Sequence, residues 1–171
     1  MQRVMRSIVW VTTASGLVSG VMVFLTMVIV LVEVAGRYVF HHAPMVADEM
    51  GSYLLVFIIF VGLGYTFREN GHIAIELIVS RLPSKVSETL RLATLSIALI
   101  VSVLLTKSFF DLSIYSYTLR LKSVSWLMTP QYLPQVFMGI GASILCMQLI
   151  AEIIEHLMNY KRSWRKWRNE S

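Results

Sequence analysis

Hydrophobic positions in this chain come in long unbroken runs, not in alternation and not in one-sided helical stripes. Ser7 to Val32 carries no charge over twenty-six residues, Met50 to Phe67 none over eighteen, and Leu92 to Thr106 none over fifteen. A fourth apolar run leads from about Gln135 toward Glu155. A hydrocarbon core of about 30 Å needs roughly 20 apolar residues at 1.5 Å rise each. A buried helix of a water-soluble protein would instead keep a polar face. The pattern predicts an all-α integral membrane protein, a single four-helix domain over 1–171 with spans at about 8–36, 45–68, 85–110 and 134–157. Between the second and third spans, Ile73, Leu77, Ile78 and Leu82 recur at helical spacing with Glu76 and Arg81 among them. That predicts a short amphipathic helix lying at the membrane surface over about 72–82.

Turn chemistry marks the ends of these spans. Pro44 suits the first turn of a helix, where its missing N–H costs nothing. Asn70-Gly71 reads as a turn, and Pro83-Ser84 as a helix start. Pro130 and Pro134, inside Thr129-Pro130-Gln131-Tyr132-Leu133-Pro134, predict a rigid, extended approach to the last span.

Composition sharpens the membrane reading. The chain is 56% hydrophobic and 15% charged, against about 25% charged in ordinary soluble domains. A net charge of +5 could suggest nucleic acid, but the Lys and Arg residues flank apolar runs, where topology explains them better. Eleven of them fall at the N-terminus, the second connection and the tail; four (Arg37, Lys107, Arg120 and Lys122) fall on the other side. The imbalance predicts both termini in the cytoplasm. The first run is far longer than the apolar core of a signal peptide, so it reads as an uncleaved span. The basic tail, with Trp164 and Trp167, suits anionic headgroups. One cysteine, Cys146, allows no intrachain disulfide.

Candidate functional residues sit at span ends or on small-residue faces. Gly16 and Gly20 form a GxxxG, and Gly139, Gly141 and Ser143 offer a similar surface in the last span; such spacing lets helices approach closely. Glu33 and Arg37 stand at i, i+4 near the end of the first span. A charge at mid-membrane costs on the order of 2.5–3.5 kcal/mol on insertion scales, and less near the interface. Three readings stand for this couple: a mutually paired, interface-level cap, an ion or proton site at Glu33, or a contact with another subunit. Asp48 and Glu49 open the second span, where a helix N-terminus favours negative charge; they could equally serve a docking patch. Lys107 and Asp111 have the spacing of an ion pair on one helix face, and Tyr115, Tyr117 and Trp126 suit an interfacial aromatic belt.

No Walker motif, Gly-rich dinucleotide loop, HExxH or paired-Cys pattern is present. No catalytic, substrate-binding or metal residue is assigned, no cofactor is expected, and the chain does not read as an enzyme. His41, His42, His72 and His156 all lie outside span centres, which disfavours a haem anchor. Transporters that work alone usually break helices near the midplane, whereas the glycines and prolines here cluster near span ends. A scaffold role fits better; the alternative is an autonomous four-span proton-coupled exporter using Glu33.

Several stretches together resemble one family. They are Arg37-Tyr38-Val39-Phe40, the acidic pair Asp48-Glu49, Gly62 to Pro83 (GLGYTFRENGHIAIELIVSRLP), and Thr129 to Pro134. The chain resembles the small membrane (Q-type, DctQ-like) subunit of tripartite ATP-independent periplasmic (TRAP) transporters. Val46 and Ala47 stand where that family often carries a tryptophan. The resemblance implies an inner-membrane protein bracing a large M-type membrane subunit, with a periplasmic binding protein as transient partner and lipids around it. It further implies sodium-driven uptake of an organic acid such as a C4-dicarboxylate or sialic acid. On this view Gly16, Gly20, Arg37, Asp48, Glu49, Gly139 and Ser143 are the candidate partner or packing contacts.

Overall fold

The computed structural model describes residues 2–39, 46–70, 84–124 and 127–170. Within them the chain forms four helices: α1 (Gln2–Val39), α2 (Val46–Asn70), α3 (Ser84–Thr118) and α4 (Tyr132–Glu170). Each contains a stretch long and apolar enough to cross a membrane: Met5–Val39, Glu49–Glu69, Thr89–Thr118 and Tyr132–Met158. The surface helix expected over about 72–82 lies outside the described residues.

Sequence accounts for the helix boundaries. α2 stops at Asn70, before Gly71, and α3 starts at Ser84, directly after Pro83. Pro134 departs from the expected extended approach. It falls inside the first turn of α4, because Pro130 is already held in a β-bridge with Lys122 and the helix begins at Tyr132. A proline in a first turn forfeits no intrahelical hydrogen bond.

The helices pack in the order α1–α2–α4–α3, with α2 and α4 at the centre. Side-chain contacts fix the directions. Phe57 meets Phe137, and Gly64 lies against Ile144, so α2 and α4 run parallel. Thr12 and Ser19 of α1 lie against Gly64 and Gly62, and Phe110 of α3 against Gly139, so both outer helices run antiparallel to their neighbours. The end carrying the α1–α2 and α3–α4 connections is called distal here, and the end carrying both termini proximal.

The interior is inverted relative to a water-soluble bundle. Its most buried side chains include Thr12, Ser102 and Ser116 beside Leu149, while Trp10 and Leu17 are more than 70% exposed. Burying methylenes gains little when the surroundings are lipid, so close packing of small residues holds such helices together. Hydroxyls that face no neighbour bond back to their own helix. Thr26 donates to the Met22 carbonyl, Ser96 to Leu92 and Thr118 to Ile114, each at 2.8 Å. Those bonds cover hydroxyl protons that an apolar medium would leave bare; the buried Ser116 Oγ has no partner among the described residues.

Candidate functional site

Three levels of the bundle carry polar structure. At the distal end, Arg37 donates to Glu33 Oε1 at 3.2 Å. The carboxylate side chain is 7% exposed and the guanidinium side chain 57%, so the acid points inward and the cation outward. One helical turn separates them, the geometry their spacing predicts. Carrying the α1–α2 register outward brings the level of Glu33 to the start of α2. There Glu49 is also buried and accepts a hydrogen bond from the Tyr53 hydroxyl at 2.9 Å. Tyr53 also meets Ser123 and Thr129, so the start of α2 is tied to the α3–α4 connection. Asp48 lies in the first turn of α2.

That connection is a tightly hydrogen-bonded loop. The Leu121 N–H donates to the Ser116 carbonyl at 3.0 Å and the Arg120 N–H to Tyr117 at 3.1 Å, with Arg120 at φ 50°. This is a Schellman ending, with arginine in the left-handed position that glycine usually fills. Ser123 N–H to Thr129 carbonyl (2.9 Å) and Gln131 N–H to Leu121 carbonyl (3.1 Å) close the loop. A hollow of about 470 Å³ opens beside it, lined by Tyr117, Arg120, Lys122 and Tyr132 among others.

In the proximal half of the bundle the contacts bridge helices. Thr12 Oγ1 lies 2.6 Å from its own Ile8 carbonyl and 3.2 Å from the Gln148 side-chain oxygen, joining α1 to α4. Ser102 approaches Cys146 Sγ at 3.0 Å, joining α3 to α4. At the proximal end Arg91 donates to Glu152 at 2.8 Å across α3 and α4, and Arg68 to Thr13 at 2.9 Å across α2 and α1. None of these cross-helix pairs follows from local spacing, because each depends on how two helices are rotated about their axes. Lys107 and Asp111 do have pairing spacing, yet no ion pair joins them.

The small residues occupy different settings. Gly141 is pressed against the Phe60 backbone, with no room for a Cβ. Gly139 lies under the Phe110 ring, where a Cβ would stand 3.1 Å away. Ser143 donates to the Gly139 carbonyl at 2.8 Å on its own helix. Gly16 lies beneath the Tyr65 ring, whereas Gly20 has open space beside it. Gly16 and Gly20 both line an open groove of about 520 Å³, floored by Thr13 and walled by Leu17, Val21, Phe24 and Tyr65.

The last three spans, the connections and these distal charges lie within one long match to a family model. Residues 26–159 match the DctQ component of tripartite ATP-independent periplasmic transporters. No curated protein matches the chain. The match covers most of the sequence, leaving out most of α1, up to residue 25, and the tail of α4. It describes a transporter component, not a family of enzymes. The chain therefore belongs to the DctQ family and is a small inner-membrane subunit of a TRAP transporter.

Proposed function

We propose that this subunit is a scaffold: it braces the large membrane subunit while that subunit moves an organic acid inward with sodium, delivered by a periplasmic binding protein. The observation that carries the reading is the α2–α4 seam. A chain that transported by itself would need a passage between its helices. At mid-depth the seam is closed by the Gly141 backbone against Phe60 and by the Phe57–Phe137 ring contact, centroids 4.9 Å apart. Packing this close favours rigidity over a moving pathway.

The Lys and Arg distribution supports cytoplasmic termini, which puts the distal end in the periplasm. Arg37, Asp48 and Glu49 would then lie on the side from which a binding protein approaches. The groove along Gly16 and Gly20 suits a helix of the large subunit, since small residues admit a neighbouring backbone.

Sodium-driven uptake of a radiolabelled C4-dicarboxylate or sialic acid into proteoliposomes tests the proposal. Uptake is expected only when this chain, the large subunit and the binding protein are reconstituted together. Uptake by this chain alone, abolished by Glu33→Gln, would replace the scaffold with an autonomous transporter.

A further inference from the structure

The α3 helix carries two charges, Lys107 and Asp111, inside its membrane span. The α2 span, Glu49–Glu69, is 21 residues long, so it matches a hydrocarbon core of about 30 Å and its centre marks mid-membrane. Phe60 stands next to that centre. Its ring packs edge-on against Phe109 of α3, centroids 5.2 Å apart. Lys107 stands two residues from Phe109, within about one helical turn of mid-membrane, and Asp111 lies one turn further toward the distal end, since Ser113 meets the Tyr132 carbonyl where α4 begins. The α3–α4 contacts give Lys107 the same depth, because Phe110 sits over Gly139 and Ser102 near Ala142.

Both charged side chains are exposed on the outside of the bundle. Neither has a hydrogen bond or ion pair among the described residues. Snorkelling lets a lysine stem recover only part of the half-core distance of about 15 Å, and aspartate, though nearer the distal end, has almost no stem. Beside Asp111 the surface is concave, a hollow of about 380 Å³ lined by Asp111, Ile114, Tyr115, Thr118 and Leu119. Ionisable residues inside a membrane almost always face protein or a water-filled cavity and find a partner there.

We infer that the Lys107–Asp111 face of α3 is covered by the large transport subunit, through a membrane-embedded helix that sets an acidic side chain against Lys107 and a basic or donor side chain against Asp111. The inference rests on the scaffold reading and names the face that reading leaves open. Complementary charges at this depth fix register and orientation, because sliding the partner by one turn would strand both groups in lipid.

The test is co-purification of the tagged chain with the large subunit from membranes, comparing wild type with Lys107→Leu/Asp111→Leu. The double variant is better suited to lipid than the wild type. It should therefore insert normally yet recover at least tenfold less large subunit. A photo-crosslinking residue at Ser108, exposed between the two charges, should in parallel capture the large subunit. This second measurement holds even if the double variant misfolds. Undiminished recovery by a folded double variant, or crosslinks to lipid alone, overturns the assignment of this face while leaving the scaffold reading intact. Failure of the wild-type chain to recover any large subunit overturns both.

Discussion

Two glycine-bearing surfaces look alike on paper and behave differently in the bundle. The α2–α4 seam around Gly141 and the α1 face around Gly16 and Gly20 are both runs of small residues at helical spacing. At the seam the Gly141 Cα lies so close to the Phe60 backbone that no side chain fits. On α1, Gly16 is covered by the Tyr65 ring, and one turn later Gly20 meets nothing. A small-residue motif states that a close approach is possible, not which neighbour makes it. At Gly141 the neighbour is inside this chain; at Gly20 it is left for something outside.

Substitutions should separate the two surfaces in order of severity. Gly141→Ala puts a methyl group against backbone that has no way to rotate aside. It should destabilise the isolated chain by on the order of 3 kcal/mol, read as a lowered unfolding midpoint in detergent micelles. A midpoint within error of wild type would mean the seam is looser than drawn. Gly16→Leu displaces a ring instead of backbone, so a smaller loss of about 1–2 kcal/mol is expected. Tyr65→Ala in the same background should relieve part of it, and no relief would place the clash elsewhere.

Thr12→Val keeps the shape of the α1–α4 contact and removes its hydroxyl. Interhelical hydrogen bonds in membranes average about 0.6 kcal/mol, and the same melting assay should register a loss of that order. A loss several times larger would show Gln148 depending on Thr12 alone. Gly20→Leu is the mildest for the fold, within about 0.5 kcal/mol of wild type, because its side chain enters open space. Its effect should appear only in recovery of the large subunit, reduced several-fold. Full recovery with Gly20→Leu would remove the groove from the proposed interface.

The fold was largely legible because charge-free runs of 15 to 26 residues leave few alternatives in a bilayer. Local signals were legible too: the helix start at Ser84, the stop at Asn70 and the Glu33–Arg37 couple all depend on residues within one turn. Lys107 and Asp111 have the same spacing as Glu33 and Arg37 but remain apart. Spacing makes such a pair available, while the surroundings decide whether it closes. The cross-helix contacts, Thr12 with Gln148 and Arg91 with Glu152, join residues more than 60 positions apart. Their partners become predictable only once helix order and rotation are known, and nearly uniform hydrophobicity around each helix erases the face that would reveal rotation. The Schellman ending at Arg120 was hidden for another reason: the sequence offers arginine where glycine would have announced it.

The lone thiol supplies a built-in gauge. Cys146 is tucked between Ser102 and Thr106, with Sγ 3.0 and 3.6 Å from their hydroxyls, and no second cysteine competes for reagent. The thiol is half-buried, so a maleimide reaches it faster when α3 lifts away from α4. The alkylation rate of the unaltered chain thus times the breathing of one helix pair, and its slowing on assembly would show the partner clamping that pair shut.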